Sequence, residues 1–228
     1  MTSISANLQA VKSRIVAACA AAGRDPATVT LLAVSKTWPA GAVREAAAAG
    51  QRAFGENYVQ EAAAKRAALA DLPGVEWRMI GPLQSNKTAL AAAVFDWVES
   101  VDRLKIAQRL AAQRPEGMPA LCVCIEVNVS GEATKGGVPP AEAPALAAAI
   151  AALPRVRLRG VMGIPAPTPD VRQQRAQFRA LRECFDALRA TGLPLDTLSM
   201  GMSADLEAAI AEGATQVRVG TAIFGERR

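Results

Sequence analysis

Apolar residues follow two alternating rhythms along the chain. Short apolar runs occupy residues 29–36, 52–55, 76–80, 95–99, 121–129, 158–164, 197–201 and 216–220. These are the lengths and compositions of strands. Between them, apolar positions return every three or four residues over 39–49, 56–70, 86–93, 102–113, 140–153, 170–190 and 204–212. That is the period of an amphipathic helix. A further helical stretch covers 5–21, and a short turn follows Gly220. Strands that alternate with helices predict a parallel sheet. Periodicity does not give strand order, so an open doubly wound sheet competes with a closed barrel. Eight such units fill the chain, with short loops and no Pro/Gly/Ser-rich linker. This favours one (β/α)8 barrel domain over residues 1–228, with an extra N-terminal helix.

Composition narrows the chemistry. Hydrophobic residues make up 51% of the 228, enough for a packed core, and the low aromatic content of 4% is offset by alanine. The formal net charge of +5 raises the question of nucleic acid. The basic residues are dispersed and mostly arginine, the pattern of a solvated, ion-paired surface, so no nucleic-acid partner is expected. Histidine is absent, which removes histidine triads, histidine metal sites and the usual acid–base group near neutral pH. The cysteines are Cys19, Cys122, Cys124 and Cys184, and the one-residue gap in the middle pair fits no common zinc spacing. No metal is expected, and buried thiols suit a reducing cytoplasm. The start of the chain resembles an amphipathic helix more than a signal peptide, and no stretch has the length of a membrane span. A cytoplasmic protein with no membrane partner is predicted.

The candidate chemistry gathers at the ends of the predicted strands, where barrels of this kind place their sites. Strand seven ends in Ser199-Met200-Gly201-Met202-Ser203 ahead of a helix, and strand eight ends in Gly220-Thr221. Small and hydroxyl residues beside free N–H groups suit a phosphate, although Ser203 would also serve as an ordinary helix cap. In 216–219 the valines alternate with polar residues, which turns Arg218 into the barrel. Leu32, Val34 and Lys36 share a face in strand one. Parity alone leaves Lys36 evenly divided between a desolvated, nucleophilic amine and a snorkelling strand-end lysine. In a closed barrel strands one and eight are neighbours. Lys36, Arg218, Ser203 and Thr221 then converge as an amine, a cation and a phosphate cradle, which are the needs of pyridoxal 5'-phosphate (PLP).

Five stretches carry a resemblance: LLAVSKTWP (31–39), FGENYVQE (54–61), IGPLQSNK (80–87), SMGMSADLEAAI (199–210) and VRVGTAIFGER (217–227). Together they resemble the PLP homeostasis proteins, which share a barrel with the alanine-racemase type of PLP enzymes. The resemblance implies Lys36 as the Schiff-base lysine, phosphate contacts from Ser203, Gly220 and Thr221, ring contact from Arg218, and a cofactor-side role for Asn57. Arg78 departs from the family, which usually has histidine there.

Two functions of different class follow. One is a carrier that binds, buffers and delivers PLP to apo PLP-dependent enzymes. The other is a low-activity amino-acid racemase of the alanine-racemase type. A racemase needs two bases on opposite faces of the cofactor, and the resembling racemases take the second from a tyrosine in an additional domain. This chain has one tyrosine, Tyr58, and no histidine in its place. The carrier is therefore favoured, with no catalytic residue assigned and, without the dimer-forming domain, as a monomer. Two further expectations concern single residues. Parity turns both Arg78 and Glu126 inward and predicts an ion pair between them. Lys135, in the glycine-rich loop 131–137, is either a relay amine for cofactor release or a solvated loop lysine.

Overall fold

The computed structural model describes residues 3–132 and 135–226. Eight strands, β1 (Thr30–Val34), β2 (Ala53–Glu56), β3 (Glu76–Met79), β4 (Trp97–Val101), β5 (Leu121–Glu126), β6 (Val156–Met162), β7 (Thr197–Ser199) and β8 (Gln216–Val219), follow one another in a closed barrel. All neighbouring pairs are parallel, and β8 closes on β1 through Leu32 opposite Arg218. That closure excludes the open sheet. Helices α1 (Ile4–Ala21), α2 (Ala40–Ala48), α3 (Val59–Ala68), α4 (Thr88–Val94), α5 (Leu104–Gln113), α6 (Ala143–Ala151), α7 (Val171–Ala190), α8 (Leu206–Ala211) and α9 (Thr221–Phe224) complete the chain.

Parity divides the core into two layers. Outward residues such as Ala33, Phe54, Val98, Val123, Val217 and Val219 are buried against the helices. Inside the barrel, Trp97, Cys124 and Met162 form a separate apolar cluster. Gly160 of β6 belongs to this tight interior: an added Cβ would lie 1.7 Å from the Thr197 carbonyl oxygen. α1 is the extra N-terminal element. Its Leu8, Val11 and Ile15 are buried, Asn7 Nδ2 donates to the Ile223 carbonyl at 3.0 Å, and Arg14 forks onto Glu207 while donating to the Ser203 carbonyl at 3.1 Å.

Several boundaries differ from the sequence expectation. β1 ends at Val34, and Lys36 sits in the following turn. Ser35 N–H still pairs with the Gly55 carbonyl at 3.0 Å, but Thr37 takes a left-handed φ of 69° and ends the extension. Glu56 belongs to β2 rather than to the helix after it, and its carboxylate is buried on the outward face of the strand, under α3, where Lys65 holds it. Ser203 lies in a turn ahead of α8, whose cap position is Asp205. The Asp205 carboxylate folds back to accept Met202 N–H at 2.6 Å.

The expected Arg78–Glu126 pair does not form. Arg78 is buried and inward, but its partners are Glu76 at 2.7 Å, Glu99 at 3.3 Å and the Gln216 amide oxygen, with its guanidinium 4.0 Å from the centre of the Trp97 ring. Parity gives the direction of a side chain and not its height. Arg78 is level with Trp97, and Trp97 with Cys122. Glu126 is four residues further along β5, about 13 Å higher at a strand rise of about 3.3 Å.

Candidate functional site

A cavity of about 280 Å³ opens at the carboxyl ends of β1, β2, β7 and β8. Lys36, Asn57, Ser203, Arg218, Gly220 and Thr221, the six residues singled out from the sequence, all line it. Trp38, Ile80, Ile164 and Met202 supply apolar wall. Such a site is small, concave and mixed in polarity, as ligand pockets are.

The lysine edge is built by the segment after β1. Trp38 N–H closes a turn onto the Ser35 carbonyl at 3.0 Å, and the Trp38 ring stacks on Phe224 with centroids 6.0 Å apart. Beneath Lys36 lies a buried set of charges. Lys65 Nζ donates at 2.7 Å to the Ser35 carbonyl, to Glu56 and to Glu61. The Ser35 hydroxyl donates to Glu56 at 2.6 Å. Burial pushes the Glu56 carboxyl above its ordinary value, while the hydrogen bonds from Lys65 and Ser35 pull it back.

The opposite edge is made by the ends of β7 and β8. Gly201 has a φ of +90°, and a Cβ there would meet Ala209 Cβ at 2.5 Å, so only glycine permits this approach of the 199–203 segment to α8. Gly220 caps α9, whose first N–H groups, on Thr221 and Ala222, have no intrahelical acceptor. A side chain at Gly220 would press on the Val34 carbonyl, 3.1 Å away, at the foot of the lysine edge.

Arg218 forms the floor. Its guanidinium donates to Ser199 Oγ at 2.8 Å and to the Gly163 carbonyl at 2.9 Å. Burial depresses its pKa, opposed by the acids Glu99, Glu126 and Asp205. Below it, Ser199 Oγ donates to Glu99 at 2.7 Å, and Gln216 Nε2 donates to both Glu99 oxygens and to Ser199. Arg78 joins the same chain from the other mouth of the barrel. Sequence reasoning missed Glu99 and Gln216, and named Ser199 only as part of the strand-seven end, not as the support of Arg218. Gln216 was detectable, since it shares the inward face of Arg218 two residues away.

On the remaining wall, Asn57 Oδ1 is buried with no hydrogen-bond partner. Gly81 holds this residue in place. A Cβ at Gly81 would fall 2.8 Å from Asn57 Cα and from its carbonyl oxygen. Ser100 Oγ fixes the Gly81 carbonyl at 2.5 Å. Glu126, near Arg218, has its carboxyl pushed up to about 7 by burial and by Asp102. Lys135 lies outside the cavity lining; its buried Nζ is 3.2 Å from Glu132. Residues 133 and 134 of its loop lie outside the described residues.

The class of the protein follows from this barrel and cavity: residues 6–228 match the family Alanine racemase, N-terminal domain. Two curated relatives are full-length matches. A pyridoxal phosphate homeostasis protein of Pseudomonas aeruginosa is 63% identical, covering 100% of this chain and 97% of the relative. That of Escherichia coli strain K12 is 52% identical, with 100% and 98% covered. The chain belongs to the pyridoxal phosphate homeostasis protein family. Among solved structures, PipY of Synechococcus elongatus PCC7942 with PLP bound superposes with a TM-score of 0.85 at 40% identity, covering 97% of this chain and 100% of that one. Alanine racemase of Corynebacterium glutamicum shares the fold at 21% identity and a TM-score of 0.71, with 61% of that longer chain covered.

Proposed function

We propose that this protein binds PLP as a Schiff base on Lys36 and serves PLP homeostasis by binding, buffering and delivering the cofactor. The observation that carries this reading is the convergence of Lys36, Asn57, Ser203, Arg218, Gly220 and Thr221 on one cavity. The residues suit the group. Lys36 offers an amine for the aldehyde, and condensation forms the C=N bond and releases water. Ser203, Gly220, Thr221 and the first turn of α9 offer hydroxyl and N–H donors for a phosphate. Asn57 contributes a buried acceptor without a protein partner. Arg218 stands on the floor for the ring, held in place by Ser199 and Gly163. PipY, at 40% identity, was solved with PLP bound.

A non-catalytic role fits the rest of the site. Bound PLP would supply an electron sink for carbanion chemistry, and Arg218, facing the ring nitrogen, would oppose its protonation and weaken that sink without abolishing it. Tyr58 is 58% exposed and absent from the cavity lining, so the chain's one tyrosine is not positioned as a second base. No helix among the described residues is long and apolar enough to cross a membrane. The protein acts as a cytoplasmic monomer whose partners are PLP and the apo PLP-dependent enzymes that receive it, with no nucleic acid.

The test is chemical. Incubation with PLP should give an imine absorption band, and borohydride should fix a pyridoxyl group on the peptide that contains Lys36. Label confined to another lysine, or no imine band at all, would overturn the assignment.

A further inference from the structure

Glu56 and Glu61 lie in the stretch 54–61, which the cofactor contacts above use only through Asn57. Lys65 comes one helical turn after Glu61. All three side chains converge on the two residues that flank Lys36. Lys65 Nζ and Glu56 hold Ser35 by its carbonyl and its hydroxyl. On the other flank, Glu61 Oε1 accepts Thr37 N–H at 2.5 Å. Thr37 is one of the few non-glycine residues with positive φ, a backbone state that costs a β-branched residue energy and persists only where its surroundings over-determine it.

We infer that the Glu56–Lys65–Glu61 triad positions Lys36, fixing the backbone on both sides of it so that its amine is presented to the cavity. The inference rests on the Schiff-base reading above. Its physical basis is the poor return of such a triad as a stability device. Ser35 and Glu56 are fully buried and Lys65 is 5% exposed. Burying charges costs several kcal/mol each, and well-packed apolar residues in their place are often neutral or stabilising. What apolar residues cannot supply is a second donor for the Ser35 carbonyl, beside Trp38 N–H, and an acceptor for Thr37 N–H. Without them Thr37 would relax from the left-handed state and carry the adjoining Lys36 with it. The triad touches neither the aldehyde nor the phosphate in this scheme, so its members are positioning residues.

Two sets of variants test the idea. In the first, Glu61→Ala removes the acceptor for Thr37 N–H, while Glu61→Gln keeps an oxygen there. Glu61 is on the barrel surface, with its side chain 26% exposed, so both should fold. In the cofactor-free protein, amide hydrogen exchange at Thr37 should speed up in Glu61→Ala and return toward the parent rate in Glu61→Gln. The rate of imine formation with PLP should fall by about tenfold or more in Glu61→Ala, given that misplacement of a reacting group by about 1 Å costs on the order of 100-fold. Glu61→Gln should recover most of it. In the second set, the double variant Glu56→Gln/Lys65→Met removes both buried charges. It should match the parent in urea midpoint yet form the imine about tenfold more slowly.

Imine formation at the parent rate in both Glu61→Ala and the double variant would overturn the positioning role and leave the triad structural. Should the double variant fail to fold, the Glu61 pair decides alone. Lys36→Ala is the separate control: a borohydride-fixed adduct surviving in that variant would refute the lysine assignment itself, whatever the triad does.

Discussion

Glu126 ends β5 with its carboxyl turned into the upper barrel, where burial and Asp102 disfavour its charge and Arg218 only partly restores it. A folded-state value of about 7 against an ordinary carboxyl near 4.5 fixes the sign of its linkage to folding. The folded protein holds a proton that the unfolded chain releases. The resulting stabilisation is fully present below about pH 4.5 and is lost as pH rises through about 7. Glu126→Gln should therefore leave stability near pH 4 unchanged. At pH 8 it should raise stability, by up to about 3 kcal/mol at about 1.4 kcal/mol per unit. Urea unfolding of the cofactor-free protein at the two pH values checks this; a variant equally stable or weaker at pH 8 would contradict it. At the same scale, Arg218 illustrates what parity can find. Its inward direction was legible from alternation with Val217 and Val219, and the Ser199 and Gly163 contacts that hold it were not, since they depend on the register of β8 against β7 and on the turn after β6.

Elements show the same division. Alternating rhythms located all eight strands, because apolar runs and helical faces are local properties. Heights and ends were hidden, because they depend on register. Lys36 left β1 only through the left-handed turn at Thr37, and Arg78 found Glu99 in place of Glu126 because inter-strand pairing, not parity, sets the level. The close approach of the turn after β3 to Asn57 was invisible for the same reason. It makes a specific demand on one residue. Gly81→Ala would place a methyl 2.8 Å from Asn57 backbone atoms that are themselves tied to the end of β2. Overpacking of this kind costs about 1–3 kcal/mol. Relief requires Asn57 to shift out of the cavity wall. The expected result is a lower urea midpoint together with weaker retention of PLP on dialysis. An Asn57→Ala protein should show the second effect with little of the first, which separates the local packing cost from the lost cofactor contact.

For the molecule as a whole, the carrier reading predicts negligible turnover of amino acids. With PLP loaded, alanine and other common amino acids should be racemised far below the roughly 1–1000 per second typical of enzymes. Chiral chromatography after prolonged incubation measures this, and a rate in that range for any one of them would establish the racemase reading instead. The barrel closure has a consequence for how the site comes into being. Lys36 and its supporting triad are complete by residue 65, whereas Ser203, Arg218, Gly220 and Thr221 arrive near the end of the chain. The first helix likewise waits for late partners, since Asn7 and Arg14 bind Ile223, Ser203 and Glu207. Contacts of such long sequence separation form slowly. During synthesis Lys36 thus emerges from the ribosome long before the proposed phosphate donors. On the Schiff-base reading, its amine would meet aldehydes without a phosphate cradle until β8 docks on β1, and translation of the last quarter of the chain would supply the selectivity.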